Sequence, residues 1–257
     1  MQAPDRVAIS LFGIDILWYG VFLTVGIVLT ILVITKRAPA HRISSDRILN
    51  YCIIAVLCGI VGARMYYVFF RWEYYSEDLG RILNLREGGL AVHGGLLFGL
   101  IVLLILCKIW KDRPLNVLDL FASAVPLGQA IGRWGNFFNE EAYGGPTDLP
   151  WAQIIDGQKV HPTFLYESIW CFLLFLFLQF LDRRRSFHGQ IFLLYVILYS
   201  LERFFVEGLR TDSLMLTEHL RQAQVLSALA FFVAGCAYIY LWRKKKYKKT
   251  RKRRSAS

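Results

Sequence analysis

The sequence predicts an all-α, polytopic integral membrane protein: a bundle of about seven transmembrane helices, with the N-terminus outside and the C-terminus in the cytoplasm. Three observations carry this. The chain has 257 residues, 56% of them hydrophobic and 15% aromatic. Its apolar residues gather into runs close to the roughly 20 residues that a membrane-crossing helix needs. Those runs are continuous, whereas outward-facing barrel strands alternate apolar and polar positions.

The expected spans lie near residues 17–35, 48–70, 90–107, 115–131, 163–181, 191–207 and 225–242. The fourth and sixth are the shortest or most polar and are the weakest on their own. The first run is long enough to span and is preceded by Asp5 and Arg6, so it reads as a span rather than a cleavable signal peptide. Residues 1–242 read as a single transmembrane domain and 243–257 as a basic cytoplasmic tail without regular structure. Cys52, Cys58, Cys107, Cys171 and Cys236 all fall in apolar segments without metal-ligand spacing, and read as small buried hydrophobes.

Lys and Arg set the orientation. Most of the 30 basic residues lie in the linkers after spans one, three and five and in the tail Arg243–Arg254, which the positive-inside rule places in the cytoplasm. The formal net charge of +11 is concentrated in that tail. A polybasic segment directly after a span suits anionic lipid, so no nucleic-acid partner is expected. Two external loops are long, near 71–89 and 132–162. The second is rich in Gly, Pro, Asn and Trp, as functional loops often are.

With this topology the embedded polar groups fall near one face. They are Tyr19, Arg64, His93, Arg133, Glu141, Glu167, Arg203, Glu207 and Arg210. A charge at the bilayer centre costs about 2.5–3.5 kcal/mol on insertion scales, so such residues mark function or pairing. Arginine suits a buried phosphate because it stays charged and its planar fork binds two oxygens. Arg203, Glu207 and Arg210 stand at i, i+4 and i+7, one helix face. His93-Gly94-Gly95 opens span three, where helix N-terminal amides favour anions. Nucleophilic serine, paired aspartates and metal-spaced histidines are not evident, and neither a metal nor a cofactor is expected. Three readings compete on the residues alone: a lipid-modifying enzyme, a headgroup-binding lipid transporter, and a structural protein whose arginines merely pair with glutamates.

The residues Gly132-Arg133-Trp134-Gly135-Asn136-Phe137-Phe138-Asn139-Glu140-Glu141-Ala142-Tyr143-Gly144 resemble the signature of the bacterial phosphatidylglycerol–prolipoprotein diacylglyceryl transferase family. Trp18-Tyr19-Gly20, Gly62-Ala63-Arg64, His93-Gly94-Gly95, the stretch from His161 to Glu167 and the stretch from Arg203 to Arg210 match its pattern in the same order. One departure is Ser200 after Tyr199, where many members have glycine, with Glu202 beside Arg203.

The resemblance implies a multi-pass protein of the bacterial cell membrane with its active site toward the outer face. It implies transfer of the diacylglyceryl group of phosphatidylglycerol to the lipobox cysteine of prolipoproteins, with release of glycerol phosphate. On that basis the expected catalytic residues are His93 as general base, Arg133 and Arg203 as phosphate binders, and Tyr19. The expected substrate-binding residues are Arg64, Arg133, Asn136, Glu141, Gly144, Arg203, Glu207 and Arg210. Histidine suits a base because its ordinary titration range includes neutral pH.

Overall fold

The computed structural model describes residues 1–257 apart from 12, 85–87, 214, 218–219 and 255–257, and the side chains of 14 and 247–254 are not described. The chain is mostly helical. A hairpin of β1 (Val7–Leu11) and β2 (Ile14–Leu17) leads into α1 (Trp18–Arg37). Then come α2 (Ser45–Phe70), the short α3 (Trp72–Ser76), α4 (Val92–Ile109) and α5 (Pro114–Asn139). A second hairpin, β3 (Gln153–Ile155) with β4 (Gln158–Val160), precedes α6 (Thr163–Asp182) and α7 (Gln190–Leu209). A third, β5 (Met215–Thr217) with β6 (Leu220–Arg221), precedes α8 (Gln222–Arg254).

Six helices among the described residues are long and apolar enough to cross a membrane: α1, α2, α4, α5, α6 and α8. The helix α7 is as long as α6 but carries Glu202, Arg203 and Glu207, which lowers its apolar character. Side chains such as Leu96, Phe205 and Phe232 are two-thirds exposed, as expected of helices whose outer surface meets lipid rather than water. Half of the apolar window of α5 is buried, against 11% for α1 and α8, so α5 is an interior helix.

Two points of the sequence reading change. Residues 132–139 do not begin a loop but form the last two turns of α5. Trp134 and Phe137 pack on Phe164, with ring centroids 5.4 and 4.8 Å away, and this packing holds the helix through glycines of low helix propensity. The basic tail continues α8 as backbone helix to Arg254, consistent with the good helix propensity of Lys and Arg.

The backbone divides into two compact units: Met1–Ile34 with Leu118–Ser257, and Thr35–Val117. In the second unit α2 and α4 run antiparallel in close contact. A Cβ on Gly94 would lie 2.5 Å from the Gly62 carbonyl oxygen, so glycine here serves helix approach. In the first unit Ala122 of α5, Leu174 and Leu178 of α6 and Ile191 of α7 form a buried apolar cluster. The lone aspartate of α5 also has a structural task. The fully buried Asp119 carboxylate accepts from Gly189 N at 2.7 Å and Phe192 N at 3.0 Å, satisfying amides at the start of α7.

Candidate functional site

Within the first unit, helix ends meet in a consistent sense. The C-terminal ends of α5 and α7 lie with the N-terminal ends of α1, α6 and α8. The contacts that show this are polar and specific. Arg133, near the end of α5, is ion-paired with Glu167 in the second turn of α6. Arg203 of α7 donates to the same carboxylate at 3.3 Å through Nη1 and reaches Glu207 Oε2 at 2.6 Å through Nη2. Glu167 is fully buried, whereas the side chains of Arg133 and Arg203 remain 20% and 18% exposed. One carboxylate thus bridges two guanidiniums from two other helices. Desolvating that carboxylate is tolerable only because both positive partners are in place.

Glu202 lies beside this chain of ion pairs. It is buried, within range of the charges of Glu167, Arg133 and Arg203, and neither of its oxygens makes a hydrogen bond among the described residues. The sequence reading noted Glu202 and Glu167 without giving either a task. The signal for Glu167 was present: an ionisable residue embedded at the start of an apolar helix.

Tyr19, at the start of α1, packs over Gly135. A Cβ on Gly135 would stand 2.7 Å from the tyrosine ring, so only glycine allows α1 this close to α5. The Tyr19 hydroxyl feels the charges of Glu141 and Arg133. Asn136 Nδ2 donates to Glu141 Oε1 at 2.7 Å, closing the turn in which α5 ends and the chain reverses through Glu140 and Ala142, both at positive φ. Trp18 stacks on Phe138 at 5.1 Å and completes the α1–α5 contact.

Gly144 is docked on the end of α7. It forms an antiparallel bridge with Arg210, its amide donates to His161 O at 2.9 Å, and the amide of Gly145 donates to Leu209 O at 3.0 Å. The predicted one-face grouping of Arg203, Glu207 and Arg210 holds only for the first two. Arg210 is past the end of α7 and makes a two-pronged contact with Asp212, at 2.9 Å for each prong, because the chain has left the helical path. Burial pushes the Asp212 carboxyl up, and its hydrogen bond and ion pair with Arg210 outweigh that, holding it below its ordinary value. Arg221, ahead of α8, donates to the main-chain carbonyl of Glu207.

The remaining two predicted residues belong to the second unit. His93 lies in the first turn of α4, is exposed, and its ring makes no hydrogen bond among the described residues. Arg64 was expected to face a headgroup, but its donors are taken by main chain. Nε donates to Ile82 O at 2.9 Å, Nη1 to Gly88 O at 2.7 Å and Gly89 O at 3.0 Å, and Nη2 to Arg81 O at 2.6 Å and Asn84 O at 3.0 Å. Its guanidinium also lies 5.0 Å from the centre of the Tyr75 ring. Five carbonyls and an aromatic face leave it holding the segment that follows α3.

Apolar spanning helices around an internal chain of arginine–carboxylate pairs define a multi-pass membrane protein with a built polar centre. The sequence matches the model of the prolipoprotein diacylglyceryl transferase family over residues 6–241. The phosphatidylglycerol–prolipoprotein diacylglyceryl transferase of Finegoldia magna is 53% identical over 232 residues, covering 90% of this chain and 93% of the relative. That of Clostridioides difficile is 49% identical over 242 residues, covering 94% and 97%. That of Clostridium novyi is 45% identical over 245 residues, covering 91% and 95%. The chain belongs to the prolipoprotein diacylglyceryl transferase family.

Proposed function

We propose that this protein transfers the diacylglyceryl group of phosphatidylglycerol to the cysteine thiol of a prolipoprotein lipobox. A C–S thioether bond forms, the C–O bond to phosphate breaks, and glycerol phosphate leaves. The observation that carries this reading is the pair of partly exposed arginines, Arg133 and Arg203, held from two helices by one buried carboxylate. A phosphodiester donor brings one negative charge and its leaving group gains a second. Two preorganised guanidiniums suit both, and stabilise the bond-breaking step most. Their present partner, Glu167, keeps them in place while the phosphate is absent.

Further roles follow from position. Tyr19, Asn136 and Glu141 lie at the same end of the first unit as the arginines and orient the headgroup and the chain around it. Gly144 and Arg210, with Asp212, fasten the segment after α5 to the end of α7. Glu207 positions Arg203 through their ion pair. His93 takes the thiol proton, an assignment that rests on its motif, and its replacement by glutamine then removes most of the rate at neutral pH. Arg64 is omitted from the headgroup site, its donors being occupied.

In the membrane, α7 serves as a seventh span beside the six more apolar helices. The basic linkers and tail lie in the cytoplasm, and the polar centre lies toward the outer face of the bacterial cell membrane. The alternation of helix ends in the first unit supports this. Residues 1–242 act as one catalytic domain, and the basic end of α8 lies along anionic lipid.

The test uses purified protein in detergent with phosphatidylglycerol and a peptide bearing a lipobox cysteine. Mass spectrometry then detects a diacylglyceryl adduct on the cysteine peptide and none on its Cys→Ser control. A folded preparation giving neither adduct nor glycerol phosphate would overturn the reading and favour a lipid transporter.

A further inference from the structure

The arginine–carboxylate chain accounts for a headgroup, and an apolar feature of the same unit adjoins it. A cavity of about 460 Å³ opens between α1, α5 and α6. Its floor is Ala130 and Ser168. Phe22 of α1, Ile131 and Trp134 of α5, and Ile169, Phe172 and Leu173 of α6 form its walls. The only hydroxyl among these lining residues is already used: Ser168 Oγ donates to Ala130 O at 2.8 Å, joining the two helices beneath the groove. The lining therefore offers a ligand almost no polar partner. Ile169, Phe172 and Leu173 are about half exposed, so the groove opens sideways along the helices instead of being sealed.

Its place along the chain is informative. Trp134 directly follows Arg133, Ser168 directly follows Glu167, and Ala130 precedes Arg133 by three residues, on the same helix face. The groove begins where the ion-paired cluster ends. Its volume matches little more than one turn of an α-helix, about 10 Å across with a pitch of about 5.4 Å. That is too small to seat an apolar helical segment of a peptide, whereas a hydrocarbon chain can enter lengthwise.

We propose that this groove is the subsite for one acyl chain of the anionic phospholipid donor, whose phosphate meets Arg133. The inference rests on the donor assigned above. Lipid tails are as apolar as the groove, so leaving the bilayer gives little hydrophobic gain, and the benefit is close packing and orientation. Fixing one chain beside Arg133 restricts how the glycerol carbon approaches the thiol, and small misplacements there are costly in rate.

The experiment uses the full-length protein in mixed micelles and phosphatidylglycerol carrying a photoreactive diazirine midway along an acyl chain. Irradiation is expected to label peptides from α5 and α6 around Ile131 and Ile169–Leu173. In parallel, Ile169→Trp and Leu173→Trp fill the groove from exposed positions, so folding should be kept. For these variants the ratio of kcat/KM for long-chain over short-chain donors should fall roughly tenfold, a loss of about 1.4 kcal/mol of close packing and orientation, with the peptide KM unchanged. An unchanged ratio, or label confined to other helices, would overturn the proposal, as would cross-linking of the groove to the apolar segment of the peptide. If the unmodified protein transfers nothing from either donor, it is the proposed activity that fails. If it transfers and the variants do not discriminate, only the groove assignment fails.

Discussion

Arg64 and Arg133 are both arginines set in apolar helices a few residues from a helix end, yet they are held by different chemistry. Arg64 gives its donors to the main-chain carbonyls of Arg81, Ile82, Asn84, Gly88 and Gly89 and lies over an aromatic ring. Arg133 pairs with one carboxylate, shares it with Arg203, and keeps part of its side chain open. Carbonyls fixed in a chain segment cannot be exchanged for a ligand without unfolding that segment. A carboxylate and a phosphate make the same kind of contact with a guanidinium, so one can make room for the other. The partner, more than the depth or burial of the arginine, separates a structural role from a binding one.

The sharpest way to break this comparison is to remove each arginine. Arg133→Ala and Arg203→Ala are expected to lower transfer by about a thousandfold or more, in line with losing a donor to a developing oxyanion. Initial rates of adduct formation by mass spectrometry check this, with thermal unfolding in detergent as the control for folding. Arg133→Lys should recover little, because a compact ammonium lacks the planar fork that meets two phosphate oxygens at once. Near-normal rates in folded variants would assign these arginines to helix pairing alone.

The two neighbouring carboxylates sharpen the contrast within the cluster. Glu167→Gln leaves two guanidiniums facing one neutral amide, and should destabilise the protein by roughly 3 kcal/mol, at the lower end for breaking a buried pair. Glu202→Gln removes a buried carboxylate that has no hydrogen bond among the described residues. Its effect should be near zero or stabilising by about 1 kcal/mol. Thermal unfolding of both variants distinguishes the bridging carboxylate from the idle one, and equal losses would show that Glu202 also holds the arginines.

Arg64→Ala should cost somewhat less, roughly 2 kcal/mol, because several of the released carbonyls can find water. Its signature is local. Hydrogen exchange should quicken at Arg81, Ile82, Asn84, Gly88 and Gly89, while transfer per folded molecule falls far less than in Arg133→Ala. A loss of transfer as large as that of Arg133→Ala would return Arg64 to the headgroup site.

How much of this was legible in the sequence depends on the kind of contact involved. Apolar length marks the long helices, because a membrane span is set by local composition. The end of α5 was misread as loop because Gly132, Gly135 and Asn136 are poor helix formers, and what overrides them, Phe164 and Tyr19, lies far away in sequence. The partners of Arg64 could not be read because main-chain carbonyls leave no mark in a side-chain pattern. The task of Asp119 is hidden for the same reason, its partners being the amides of Gly189 and Phe192. Glu167 becomes a hub only when three helices meet, and the spacing rule that grouped Arg203 with Glu207 fails for Arg210 once the helix ends.

The smallest expected effect concerns that last arginine and tests whether its pair is a fastener. Asp212 is half exposed, so its ion pair with Arg210 is screened, and Asp212→Asn should cost under about 1 kcal/mol. The direction of its pH dependence follows from the carboxyl lying below its ordinary value of 3.8 in the folded protein. The stabilisation is fully present above that ordinary value. It weakens as pH drops through the lower folded value and is gone below it. Hydrogen exchange at Gly144, Gly145 and Thr211 should therefore be slower in the unmodified protein than in Asp212→Asn near neutral pH. The two should converge as pH falls from about 5 toward about 2. A difference that persists at the acid end would mean that Asp212 acts through its shape and hydrogen bonds, with its charge contributing nothing to the docking of this segment on α7.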